Sequence, residues 1–183
     1  MDKLKKLEAI AKKIENCDEC KIGKIGKAVV GEGNPDADIM FIGEAPGKEE
    51  AKVGRPFIGR SGKLLRSLIR EAGLKEEDVY ITSPVKYLPE RGTPTKEDIV
   101  HGRKYLFEQI NIIQPKILVL LGRVATEAVI QEKYPVMKMR GKIIEKDGRK
   151  YFLTLHPAAV LRNPPNRKFL IEDFQKLKKL LNS

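Results

Sequence analysis

Cysteine is almost absent: Cys17 and Cys20, in the tetrapeptide Cys17-Asp18-Glu19-Cys20, are the only two among 183 residues. That excludes a disulfide-stapled scaffold, and in a reducing compartment such a pair suggests a metal or redox motif before a structural bridge. Two thiols alone cannot close a four-ligand site. Long apolar runs are missing as well. None approaches the roughly 20 residues needed to span a bilayer. The opening Met1-Asp2-Lys3-Leu4-Lys5-Lys6 has no signal-peptide core, so no membrane association and a cytoplasmic location are expected. No Gly-Lys pair carries the earlier glycine of a phosphate-binding Walker loop, and Gly31-Glu32-Gly33 precedes a strand instead of following one, which removes the dinucleotide fingerprint. Triphosphate and nicotinamide chemistry are disfavoured. Repeats, low-complexity tracts and linkers are absent too, so residues 1–183 are expected to form one domain, long enough to bury a sizeable core.

What is abundant is positive charge. There are 36 Lys and Arg against 25 Asp and Glu, a formal net charge of +11. Such an excess suits a polyanionic partner such as nucleic acid. A lysine-rich solubilising surface, as in the Lys/Glu/Ile-heavy compositions of thermophiles, fits equally well. Only the placement of the charge separates the two.

Four β-rich apolar runs read as buried strands: Ile39-Met40-Phe41-Ile42, Val79-Tyr80-Ile81, Ile117 to Leu121, and Tyr151 to Leu155. Helical periodicity covers residues 3 to 15, Ser61 to Ala72, Lys96 to Ile113, Val124 to Gln131 and Lys168 to Leu181. Strands alternating with helices predict an α/β fold, a three-layer α/β/α sandwich around a four-stranded, mainly parallel sheet. Ligands in such folds bind beyond the C-terminal ends of the strands. The segments there are Gly43-Glu44-Ala45-Pro46-Gly47, Thr82-Ser83-Pro84-Val85-Lys86, Leu121-Gly122-Arg123 and the loop from His156-Pro157 to Arg162.

In the first of these, glycines permit close approach of backbone to ligand and Pro46 stiffens the turn, so the loop is suited to holding the Glu44 carboxylate in place. An ordinary turn with a solvated glutamate is the plainer alternative. His156 stands at a strand end and is followed by Val160-Leu161, flanked by Arg162 and Arg167. An apolar wedge beside arginines is what unstacking a base and holding its phosphates requires. Packing of Val160 and Leu161 under the last helix is the alternative.

Four spaced motifs carry a more specific signal. These are Phe41 to Glu50, Gly54-Arg55-Pro56-Phe57-Ile58-Gly59-Arg60-Ser61-Gly62-Lys63-Leu64-Leu65, Val79-Tyr80-Ile81-Thr82, and His156-Pro157-Ala158-Ala159-Val160-Leu161-Arg162. Together they resemble the family 4, thermophilic-type uracil-DNA glycosylases, with the match running from about Cys17 to the last helix. The resemblance implies a monofunctional enzyme of base-excision repair that flips a deaminated base, uracil first, out of DNA and hydrolyses its N-glycosidic bond, leaving an abasic site. It implies that Glu44 is the catalytic carboxylate, that Phe57 stacks on the extruded base, and that His156 hydrogen-bonds the base carbonyl, with Gly43, Ala45 and Ser83 lining the base site. Physical chemistry agrees with these roles, since the breaking bond builds cation character on the sugar and negative charge on the base. DNA contacts are expected from Arg55, Ser61, Gly62, Lys86, Val160, Leu161, Arg162 and Arg167. DNA is the expected partner and a monomer the expected state. Replication or repair proteins are further candidate partners, although no motif specifies one.

Two positions depart from the family. Ser83 stands where relatives carry an asparagine whose amide reads uracil, and a hydroxyl lacks that paired geometry. The family also holds a four-cysteine iron–sulfur cluster whose third and fourth ligand positions fall here on Tyr87 and Gly102. Cys17 and Cys20 are therefore read as a remnant and no cofactor is expected, with an iron–sulfur cluster as the alternative. His101, beside the lost fourth ligand, could substitute for it, but nothing in the sequence supplies a third. Two rival functions remain: a weak or inactive homologue that binds damaged or single-stranded DNA, and a glycosylase with altered base preference.

Overall fold

The structure, a computed structural model, describes residues 2–181. The one-domain expectation extends to residues 1, 182 and 183, which lie outside the described residues. The chain runs through α1 (Lys3–Glu15), α2 (Asp18–Lys21), β1 (Lys24–Ile25), β2 (Glu32–Gly33), β3 (Ile39–Ile42), α3 (Lys48–Val53), α4 (Arg60–Glu71) and β4 (Val79–Thr82). It continues through β5 (Leu88–Pro89), α5 (Lys96–Ile113), β6 (Ile117–Leu121), α6 (Gly122–Ile130), α7 (Val136–Met139), β7 (Ile143–Lys146), β8 (Arg149–Thr154), α8 (Pro157–Arg162) and α9 (Arg167–Leu181). Local chemistry accounts for several boundaries. Thr95 and Asp98 close a capping box on α5, and Asp2 accepts from the Leu4 amide at the start of α1.

The main sheet has six strands in the order β2-β4-β3-β6-β8-β7. Its central four, β4, β3, β6 and β8, pair in parallel and overlap the runs read from the sequence, with β4 one residue longer and β8 beginning two residues earlier and ending one earlier. The expected four-stranded sheet is corrected by two antiparallel edges, β2 on β4 and β7 on β8. β2 is two residues long and carries no alternation to detect. The β7–β8 hairpin did leave a signal in Asp147-Gly148, whose φ values of 50° and 73° are those of a tight hairpin turn.

Each central strand is buried on both faces, and its side chains alternate between two cores. Ile39, Phe41, Val79, Ile81, Val119 and Phe152 pack against α4, α8 and α9. Met40, Ile42, Tyr80, Leu118, Leu120 and Leu153 pack against α1, α5 and α6. The α/β/α sandwich follows directly, since a sheet with two apolar faces must be covered twice. Because the four strands are parallel, their C-terminal ends share one edge. That edge gathers Gly43 to Gly47, Ser83 to Lys86, Gly122-Arg123 and His156.

Candidate active site and a second cluster

His156 is the N-cap of α8, a short helix where an irregular loop was expected, with Pro157 in its first turn. Its Nδ1 accepts the Ala158 amide proton at 3.0 Å. That bond assigns the proton of the neutral ring to Nε2. Burial, aided by the positive charge of Arg162, pulls the His156 pKa down to about 4. The ring is therefore neutral near pH 7, with an N–H to offer.

Phe57 faces it, the two ring centroids lying 5.9 Å apart. Between them Gly43 leaves an opening: a Cβ there would sit 2.6 Å from the Phe57 ring and 3.9 Å from His156 Nε2. Glu44 follows on the same turn, and Ala45 is half-buried beside it. Burial raises the Glu44 pKa, while Arg123 and Arg162 act against the rise. Arg162 thus acts on both Glu44 and His156, and Gly43 on the β3 loop lies close to His156 Nε2, so the β3 and β8 loops meet at one site.

Phe57 is held in an unusual conformation, with φ at 51°, where a bulky side chain costs on the order of 1–3 kcal/mol. Three devices secure it. Buried Glu50 accepts the Ile58 and Gly59 amides at 2.8 and 2.7 Å. Arg66 donates to the Phe57 and Pro56 carbonyls at 2.9 and 3.0 Å, and is itself paired with Glu32 and Glu76. Gly62 lets α4 press on this backbone, since a Cβ there would fall 2.0 Å from the Phe57 carbonyl carbon. Glu50 and Arg66 were missed in the sequence because they act on Phe57 through space, although both lie within ten residues of it.

Several expected DNA contacts are corrected. Lys86 is 2% exposed, and its Nζ donates to Thr82 Oγ1, Gln109 Oε1 and the Val30 carbonyl at 2.7, 2.8 and 3.1 Å. Burial lowers its pKa to about 7, so it is an internal polar anchor out of reach of phosphates. Val160 is core, 3% exposed and packed with Leu155 and Leu170, because the face of α8 that carries it turns inward. Gly62 is buried against Phe57 and does not present an open seat for phosphate. Leu161 stays exposed, as do Arg55, Arg162 and Arg167, with Arg55 bonded to Glu32 at 2.8 and 3.0 Å and Arg167 only loosely paired with Glu71 at 3.5 Å. Ser61 is half-buried in the first turn of α4, a helix without a side-chain cap. Ser83 is 5% exposed and its hydroxyl donates to the Val85 carbonyl at 2.8 Å, which commits its one proton inward.

A second cluster lies where α2 meets α5. His101 Nε2 stands 3.3 Å from both Cys17 Sγ and Cys20 Sγ, and the three donor atoms lie within 4.8 Å of one another. Both cysteines are free thiols. The pair is thus not the isolated remnant expected, because His101 supplies the third donor. The residues nonetheless do not fit a four-iron cluster. Tyr87 fills the third position, buried among Ile10, Ile14, Cys20 and Tyr105. At the fourth, any Cβ on Gly102 would lie 2.1 Å from the Pro84 carbonyl oxygen. A cluster also needs its ligands spread over separate irons, whereas these donors converge on one point.

Comparison with known proteins places the chain in a family. The pattern of the uracil DNA glycosylase superfamily matches residues 30–178. The chain is 45% identical to a type-4 uracil-DNA glycosylase of Saccharolobus solfataricus, over 97% of this chain and 87% of that one. It is 40% identical to a type-4 uracil-DNA glycosylase of Thermotoga maritima, over 96% of this chain and 94% of that one. A third such protein, from Sulfurisphaera tokodaii, is 44% identical over 95% of this chain and 84% of its own length. By the superfamily match over most of its length and these nearly full-length relatives, the chain, whose parallel sheet gathers a half-buried carboxylate, a clamped aromatic ring and a neutral histidine at one edge, belongs to the uracil-DNA glycosylase superfamily and to its type-4 family.

Proposed function

We propose that this chain is a monofunctional glycosylase that hydrolyses the bond between deoxyribose C1′ and uracil in DNA, with Glu44 and His156 on opposite sides of that bond. The observation that carries the reading is His156: half-buried and neutral, with Nε2–H free beside the Phe57 ring. As the bond breaks, its electron pair leaves with the base, and the Nε2–H donates to the carbonyl on which that charge builds. The Glu44 carboxylate stabilises the cationic sugar and orients the water that adds to C1′. The hydroxyl stays on the sugar, the proton that the water gives up passes through Glu44 to solvent, and the departing uracil anion takes a proton from solvent. Phe57 stacks on the flipped base, and exposed Leu161 fills the gap left in the duplex while Arg55, Arg162, Arg167 and the first turn of α4 at Ser61 hold phosphates.

Base preference follows from Ser83. With its proton committed to Val85, its oxygen can accept the uracil N3–H but offers no donor to O4. Uracil removal is retained with weaker discrimination than a paired amide gives. The protein works as a cytoplasmic monomer and one domain. The test is alkaline cleavage of oligonucleotides carrying uracil, hypoxanthine, xanthine or a thymine mismatch, using the wild type, Glu44→Ala, His156→Ala and Ser83→Asn. Abasic product from uracil that disappears in the first two variants is expected. No product from any substrate would refute the enzymatic reading, and an unchanged base preference in Ser83→Asn would refute the role given to Ser83.

A further inference from the structure

We propose that Cys17, Cys20 and His101 bind a single tetrahedral divalent ion, of which zinc suits the donors best, where a four-iron cluster does not fit. In a tetrahedral site with Zn–S near 2.3 Å and Zn–N near 2.0 Å, sulfur and nitrogen stand about 3.5 Å apart and two sulfurs about 3.8 Å apart. The observed 3.3 Å from His101 Nε2 to each sulfur lies close to that geometry, and the 4.8 Å limit on the trio accommodates the sulfur–sulfur separation. One ion placed between the three atoms therefore needs only small side-chain adjustments.

The surroundings support the assignment independently. His101 Nδ1 lies 2.7 Å from Glu19 Oε1, so the ring proton is held on Nδ1 and the Nε2 lone pair points at the sulfurs. A carboxylate behind a histidine is the arrangement that orients imidazole ligands on zinc. Two thiolates and one imidazole select zinc over magnesium or calcium, which take oxygen donors. A cavity of about 220 Å³ opens beside Cys20, His101 and Gly102 and admits water as the fourth ligand. The ion would join α2 and its N-cap to α5, through ligands 84 and 81 residues apart in sequence. Neither Glu44 nor His156 is among its donors; its role is to hold the fold, and binding to the folded state alone raises stability by mass action.

The test uses the full chain, stripped of metal under reducing conditions and titrated with cobalt(II), then zinc. One equivalent of cobalt should give thiolate charge-transfer bands and the intense visible bands of a tetrahedral ion, which zinc then bleaches, and zinc should raise the melting temperature. Cys17→Ser/Cys20→Ser should abolish the spectrum. Glu19→Gln, at a largely exposed side chain, leaves the fold intact by circular dichroism and should weaken zinc roughly tenfold or more. His101→Ala should lose the tetrahedral spectrum. Absence of thiolate bands in folded wild type would overturn the proposal, as would an unaltered spectrum in His101→Ala. Stoichiometric iron with acid-labile sulfide in anaerobically purified protein would overturn it in favour of a cluster.

Discussion

Replacing His156 by alanine removes a neutral donor at the pocket, and its cost can be worked from the structure. Loss of a single preorganised donor to a developing oxyanion lowers the rate of the chemical step by about 10²- to 10³-fold. The alternative, a cationic histidine, predicts a different pH profile. With its pKa lowered to about 4, His156 is mostly neutral at pH 5.5, whereas an ordinary histidine near 6.5 would be mostly charged. The acid limb of the wild-type profile therefore belongs to Glu44, which must be ionised and whose pKa burial raises above the usual glutamate range. Single-turnover release of uracil from a duplex oligonucleotide between pH 4.5 and 8 measures both effects. His156→Asn separates catalysis from folding: its side-chain oxygen still caps the Ala158 amide, but its other polar atom is drawn back from the pocket. It should melt like the wild type and stay slow. A loss under about threefold in His156→Ala, or a wild-type inflection near pH 6.5 that this variant abolishes, would refute a neutral donor.

Other substitutions examine the remaining parts. Lys86→Met should leave the salt dependence of DNA binding unchanged, while Arg162→Gln should reduce its slope by about one, read from fluorescence anisotropy across a salt series; a shallower slope in Lys86→Met would put that lysine back among the phosphate contacts. Arg162→Gln should also move the acid limb of the rate profile upward, since its positive charge lowers the pKa of both Glu44 and His156; an unmoved or lowered limb contradicts this. Gly62→Ala forces a methyl to within 2.0 Å of the Phe57 backbone, so KM should rise and the melting temperature fall together, and wild-type behaviour would show that the clamp on Phe57 is slack. Phe57→Ala should weaken substrate by about 1–3 kcal/mol, the usual worth of stacking one base on an aromatic ring, measured as KM or Kd for uracil DNA.

Much of this protein was legible along the chain. Ile39 to Ile42, Val79 to Thr82, Ile117 to Leu121 and Tyr151 to Leu155 are short β-rich runs separated by helical periodicity, and that order alone determines a parallel sheet covered on both faces. The same order brings Glu44 and His156 to one edge, because parallel strands end together. Strand-to-helix patterning is local, so sequence carries it. Tertiary structure alone decided what depends on contacts across the chain. Lys86 lies beyond a strand end like the basic residues around it, yet Val30 and Gln109 draw it inside. Val160 and Leu161 are neighbours, and the rotation of α8 buries one and exposes the other. Phe57 adopts a left-handed backbone only because Glu50, Arg66 and Gly62 close around it. His101 meets Cys17 and Cys20 across separations of 84 and 81 residues, which no local spacing encodes. The sequence by itself determined the four parallel strands and which loops follow them; the fold decided the two edge strands, which charges face water, which ring is held rigid and which three donors share one point, because burial and ligation are properties of packing.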